Sequence, residues 1–458
     1  RVGGTACQYT AGVIAKLGLD ARVTLLDAEM VGLDREGRVI ELSDGSQLAY
    51  DVLLVTCGMQ EQTCNTFAET DLEVAGAIIS ALELAADFSV GDAAAMERIV
   101  VYGNTLESYH ALSVLESRGA AQKMQFIAPP SDEVHPMVRV LRECAVLAQL
   151  PLPQPTTALL KTLNSVPGDT RPIAVFEGAD GLDKGSLDLL VGCQPPEVSR
   201  IVFLCLNNAG VVYDGRVVVD ATFRTSDPHI YAAGTAARLS RRYGRDVHFQ
   251  HYNSREVGSA LGDSVAQSFH LATAGGAAYP APGSLSLGLG ASKVVGCSAP
   301  GGMTFEFAGS PLAMASPSLD PPPGGRALHT LTERGFLQVT LAANQCVHNV
   351  VYLGKLPLPV HKLSCLVGLH VAYLDNLATK FDEGRVTDLI SYVSSDAMEL
   401  LYHDHFAKFR NGVLGSSIEA VVGGAAPSSV LAGAQEAALE FVRAHIAELP
   451  AFTLPTTA

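Results

Sequence analysis

Tryptophan is absent from the 458 residues, and all aromatic residues together make up only 6%. Large interdigitating rings therefore cannot dominate the core. The 43 glycines and a 48% hydrophobic content point to fine-grained packing of small and aliphatic side chains. Basic residues are also scarce, 31 Lys and Arg against 47 Asp and Glu, for a net charge of −16. That excludes a general nucleic-acid surface, which needs a positive field over the phosphates. No apolar run is long enough for a membrane span, and no secretory leader opens the sequence. The nine cysteines, odd in number and irregular in spacing, suit a reducing compartment better than a disulfide framework. P-loop and G-x-S-x-G motifs are missing, as is any carboxylate pair that sequence alone brings together. A chain of this length accommodates two to four domains, and its start at Arg1 suggests a processed or partial piece.

What is present is a series of strand–turn patterns. Val217–Thr235 reads as a β-branched strand, a turn at Thr225-Ser226-Asp227-Pro228, and a short apolar strand closing on Gly234. Upstream, Arg22–Asp27, Val39–Leu42 and Leu48–Tyr50 read as short strands, followed by the apolar Tyr50–Gly58. Together these resemble the flavin half of the two-dinucleotide-domain flavoprotein reductases, whose motifs run "YDxLLxATG" and T-S-x-P-x-I-Y-A-x-G-D. In that family the final Asp bonds a ribityl hydroxyl; here Thr235 takes its place.

Ile99–Val101, Gly103 and a helix over Leu106–Arg118 form a second β-turn-α start. A pyridine-nucleotide site needs G-x-G-x-x-G there, so that backbone can approach the pyrophosphate and the helix can pack closely on the strand. The chain instead reads Gly103-Asn104-Thr105-Leu106-Glu107-Ser108, and the next strand, Met124–Ile127, ends in Ala128-Pro129-Pro130 without a ribose-binding acid. A Pro-interrupted segment (Leu150–Pro172) leads to Leu187–Pro195, which resembles the reductases' return strand to the flavin domain. A turn region (Leu206–Gly215) and a helix over Arg255–Phe269 follow.

The expected fold class is α/β. Two interleaved Rossmann-like, three-layer domains of the FAD/NAD(P)-reductase kind precede a C-terminal α+β interface domain. The expected boundaries are 1–90 (flavin-like, first part), 91–195 (nucleotide-like insert), 196–272 (flavin-like, second part), 273–328 (Gly/Pro/Ala-rich linker or loop) and 329–458 (interface or dimerisation-like domain). Strands at Phe336–Leu341 and Val350–Leu353 belong to the last, with amphipathic helices through Val386–Ala397 and Ala434–Leu449.

Three candidate sites have plain structural readings. Cys57 and Cys64 match neither C-x-x-C nor C-x4-C, so Cys57 reads as a buried cysteine at the end of a strand rather than a redox partner. His403-Asp404-His405 lacks a third ligand and reads as a helix end, so no metal is expected. Arg238, Arg241, Arg242 and Arg245 form a basic cluster, suited either to a phosphate or acidic partner or to a solvated face.

A reductase-like body with these losses and a distinct C-terminal domain resembles the C-terminal region of the cilia- and flagella-associated protein 61 family. Phe223–Thr235, His248–Val257 and Tyr102–His110 carry the likeness. It implies a non-catalytic structural role in the motile-cilium axoneme, among proteins of the radial-spoke base and the calmodulin- and spoke-associated complex, near the doublet microtubule. It implies no catalytic residue and no cofactor, with Gly103, Thr105, Ser108, Gly234 and Thr235 as vestigial positions. The alternative is a divergent oxidoreductase using FAD.

Overall fold

A computed structural model describes residues 21–61, 77–85, 95–131, 133–166, 169–179, 181–243, 247–273, 289–358, 360–395 and 426–445, with single positions between them. Cys64, Arg245 and His403–His405 lie outside the described residues. The chain divides into two compact units, Arg1–Val138 with Leu152–Leu289 and Cys297–Gly302, and Arg139–Pro151 with Gly290–Gly296 and Met303–Ala458.

In the first unit, β1 (Met30–Asp34), β2 (Val39–Leu42) and β3 (Gln47–Ala49) form an antiparallel meander. The expected strand at Arg22–Asp27 does not form, and Leu25 and Leu26 are exposed. Its apolar residues find no ladder partner among the described residues, and propensity alone does not make a strand. The chain continues through β4 (Leu53–Val55) and β5 (Met59–Gln60).

β6 (Ile78–Ser80) and α1 (Ala81–Ala85) open the insert, followed by β7 (Ile99–Tyr102), α2 (Leu106–Ser117), β8 (Met124–Ala128) and α3 (Pro136–Leu147). All four residues of β7 are buried, as expected of a parallel strand covered on both faces. α2 ends at Gly119, whose φ of +79° and N–H bond to Glu116 O close the helix. Next come β9 (Thr156–Val166), β10 (Asp169–Gly178), β11 (Gly181–Ser186) and β12 (Leu189–Gly192). They complete a seven-stranded sheet in the order β11-β10-β9-β8-β7-β12-β6. The Pro-interrupted segment Leu150–Pro172 carries β9 and the start of β10, which form a long hairpin. Pro172 is accommodated because the register breaks between Asp169 and Ile173, where no ladder N–H is demanded of it.

The return passes through β13 (Glu197–Val198) and α4 (Arg200–Asn208), which takes in the first three residues of the turn region expected over Leu206–Gly215. β14 (Val217–Val219), β15 (Ile230–Ala232), β16 (Ala237–Leu239) and α5 (Ser254–Thr273) follow. β15 pairs in parallel with β4, so strands from the two ends of the first unit rebuild one half-domain. Its core gathers Val55, Leu206, Val217, Val219, Phe223, Ile230, Tyr231, Phe249, Val257 and Leu261.

The second unit overturns the linker expected over 273–328. From residue 293 the stretch carries β17 (Lys293–Ala299), β18 (Met303–Gly309), α6 (Pro311–Ala315) and the start of β19 (Arg326–Thr332). Only 274–288 lies outside the described residues. Gly, Ser and Pro concentrate at its turns, which hid strands such as the nearly fully buried β18. With β20 (Gly335–Leu341) and β21 (Val347–Gly354), these make a five-stranded sheet ordered β17-β18-β21-β20-β19. One face packs on α7 (Val360–Leu366), α8 (Leu377–Asp382) and α9 (Leu389–Val393) through Leu337, Val339, Leu341, Leu363, Leu389 and Ile390. α10 (Pro427–His445) begins seven residues before the expected Ala434.

Candidate functional site

Parallel α/β sheets bind ligands outside the carboxyl ends of their strands. The first unit has two such places, and both are built from residues the sequence singled out.

At the flavin-like place, the ends of β4 and β15 lie side by side, bringing Gly58 next to Gly234 and Thr235. Thr235 Oγ1 accepts a hydrogen bond of 2.8 Å from the Met59 N–H. A Cβ on Gly58 would stand 3.2 Å from the same oxygen. Thr235 therefore ties the two strand ends together through its hydroxyl, where the reductase motif has a carboxylate. Gly234 has φ +80° and open space around its missing Cβ, so it serves the turn and not a close contact.

The turn before β15 is braced from within. Asp227 is 7% exposed and accepts from Arg35 Nε at 2.9 Å and from the His229 N–H at 2.8 Å. Arg35 also donates to the carbonyls of Ala209 and Gly210 at the end of α4. One guanidinium thus ties the β1–β2 turn, the α4 terminus and the Thr225–Pro228 turn together. Sequence reading missed Arg35, because nothing local to the Asp34–Gly37 turn announces a partner 192 positions away.

At the nucleotide-like place, β7 ends on Gly103 with φ +142°. A Cβ there would meet Cys193 O at 2.1 Å and Cys193 C at 2.3 Å. The backbone following β12 fills the room that glycine provides. Thr105 and Ser108 stand where the second and third glycines of the nucleotide motif would be, and both are buried, at 3% and 0% exposure. Thr105 Oγ1 donates to Cys193 O at 2.9 Å, and Ser108 Oγ accepts from the Thr105 N–H at 3.1 Å. One of the amides that α2 offers at its N-terminus is therefore satisfied by its own side chain. Glu107 adds a carboxylate to the first turn, where it complements the helix dipole and opposes a second anion.

Just inside α2, His110 is 4% exposed, and neither ring nitrogen has a hydrogen-bond partner. Burial lowers its pKa, against the pull of Glu107, so the ring is held neutral. His135 is shifted the same way by the same causes. Among the described residues no group of three or more His, Cys, Asp and Glu could hold a metal ion.

Cys57 is exposed rather than buried as expected, because β4 ends at Val55 and the cysteine lies past it. The chain around its sulfur still raises the thiol pKa, the opposite of an activated thiolate. The basic cluster is largely spent on nearby acids. Arg238 and Arg241 both pair with Asp214, at 3.3 and 2.9 Å. Arg242 reaches Asp220 at 4.0 Å and lies over the Tyr243 ring.

A family model described as the CFAP61 dimerisation domain matches residues 289–401. Cilia- and flagella-associated protein 61 of Tetrahymena thermophila is 23% identical over 266 residues. Both matches make this chain similar to cilia- and flagella-associated protein 61. The match takes in 53% of the chain and 15% of that relative, so the chain spans a small part of its length. Among solved structures, the ferredoxin reductase for the CYP199A2 system from Rhodopseudomonas palustris aligns with a TM-score of 0.51 at 17% identity. That alignment covers 84% of this chain and 87% of the reductase. An FAD-dependent pyridine nucleotide-disulphide oxidoreductase from Desulfovibrio vulgaris aligns at 0.48 and 17% identity, over 80% and 90% of the two chains. The fold is that of the FAD/NAD(P)-dependent oxidoreductases, as the strand order of both halves had implied. At this identity the likeness speaks for the fold alone. No described helix is long and apolar enough to cross a membrane.

Proposed function

We propose that this chain is a non-catalytic structural component of the motile-cilium axoneme, in which a reductase fold serves as a scaffold. In this reading it helps to assemble or anchor radial spokes. Its partners are proteins of the spoke base and the calmodulin- and spoke-associated complex, close to the doublet microtubule. Residues 289–401, matched to a dimerisation domain, supply self-association.

The observation that carries the reading is that side chains already occupy groups a dinucleotide would need at both places. Thr235 Oγ1 is bonded to Met59 N, and Thr105 and Ser108 are buried in bonds to Cys193 O and to each other. NAD(P) does not fit the second place. A pyrophosphate there would have to displace the Thr105 side chain and lie beside Glu107, and Ala128-Pro129-Pro130 offers no ribose acid. FAD lacks its ribityl carboxylate at Thr235. Neither cofactor is part of the proposal.

Cross-linking mass spectrometry on intact axonemes tests the assignment. Cross-links from this chain to spoke-base proteins are expected. A chain released quantitatively with the soluble matrix, with no axonemal cross-link, would refute it.

A further inference from the structure

The outer edge of the five-stranded sheet offers a specific surface for self-association. Among the described residues, β19 is an edge strand whose only sheet neighbour is β20. The two are joined by a tight turn, with Thr332 opposite Gly335 as the closing pair. Because hydrogen-bonded and non-bonded pairs alternate, Thr332, Thr330 and Leu328 direct their backbone groups to β20. Leu331, His329 and Ala327 direct theirs outward, and no described residue takes them up.

Natural sheets blunt such edges with charges, prolines, bulges or very short strands. β11, at the edge of the larger sheet, carries Gly181, Asp183, Lys184 and Gly185. β17, the other edge of this sheet, carries Lys293 and Gly296. β19 has fewer of these protections. It is seven residues long, runs in unbroken register with β20, and contains neither Gly nor Pro. Its one charge, Arg326, is already bound in two hydrogen bonds to Asp382, at 3.0 and 2.6 Å. Leu331 stays 50% exposed beside it.

The spacing of the outward groups is self-complementary. Two antiparallel copies related by a two-fold axis at His329 would set each Ala327 opposite the other copy's Leu331. The three outward N–H and three outward C=O groups of each edge would then form six hydrogen bonds. We propose that β19 pairs with β19 of a second copy of this chain about a dyad at His329, joining two five-stranded sheets into one of ten. Ala327, His329 and Leu331 share the face opposite Leu328 and Thr330. Thr330 Oγ1 accepts from the Leu389 N–H, so α9 lies on the other side and leaves this pairing face clear of it. The proposal rests on the self-association reading and specifies its surface.

Sedimentation velocity of the chain over a concentration series, with His329→Lys and His329→Glu, tests it. Wild type is expected to pass from 48.0 kDa towards twice that mass. Either variant places like charges face to face at the dyad and should weaken the dimer by about tenfold or more. An equimolar mixture of the two should restore it. His329 is exposed, and unchanged circular dichroism would verify that each variant folds. Wild type monomeric at every concentration would sink self-association itself. A wild-type dimer unaffected by both variants, or variants not rescued by mixing, would overturn the β19 dyad and leave self-association through another face.

Discussion

Gly103→Ala separates two reasons for a glycine at the end of β7. If the glycine served only a pyrophosphate, alanine would cost little in a protein without nucleotide. The geometry demands more. The new Cβ would lie 2.1 Å from Cys193 O, 2.3 Å from Cys193 C and 2.9 Å from Gln194 N. All three are backbone atoms that cannot rotate away, so β7 and the chain after β12 must separate. Overpacking of this kind costs about 1–3 kcal/mol, and holding alanine at φ +142° adds about 1–3 kcal/mol. The expected loss is therefore about 2–6 kcal/mol. Gly234→Ala is the control, because it also has positive φ (+80°) but open space around its Cβ. It should cost only about 1–2 kcal/mol. Urea unfolding followed by far-ultraviolet circular dichroism, with hydrogen exchange of the β7 and β12 amides, measures both without added nucleotide. Equal costs, or a Gly103→Ala protein with unchanged amide protection, would refute the packing argument.

Thr235→Ala leaves the Met59 N–H without its acceptor and should lower stability by about 1 kcal/mol, read from the same urea transition. Arg35→Ala removes the tie between Asp227 and the α4 carbonyls and should cost about 1–2 kcal/mol; the diagnostic change is faster amide exchange in the Thr225–His229 turn. Burial depresses the folded-state pKa of His110, so the unfolded chain binds the extra proton. Stability should thus be full above about pH 6.5 and fall below it, by up to about 1.4 kcal/mol per pH unit for this group. His110→Leu should flatten that dependence in urea titrations at pH 5.0 to 7.5, chosen as roughly one to two units about the usual histidine value.

Much of the first unit was legible because its motifs combine local patterns with order. The Tyr50–Gly58 strand and the Thr225–Gly234 turn and strand each carry a β-branched or apolar run closing on glycine, and they pair as β4 and β15. The missing glycines at Thr105 and Ser108 were equally plain. What those residues do instead was not, since their partners include Cys193 O, supplied by a strand 88 positions away. Arg35–Asp227 was hidden for the same reason. The basic cluster looked free in sequence because Asp214 and Asp220 precede it by some twenty residues and reach it only through the β14–β16 pairing. Composition misled at 293–328, where Gly, Ser and Pro mark tight turns between short buried strands and turn formers outnumber the strand residues.

The central claim is that the fold persists where the dinucleotide chemistry has gone. The visible absorption spectrum of the purified chain, before and after denaturation and with FAD added, tests it most directly. The account predicts a colourless protein that stays colourless after FAD is added and the excess removed. A flavin band near one-to-one stoichiometry would contradict it and point to a divergent FAD-dependent oxidoreductase, with hydride donors the next assay.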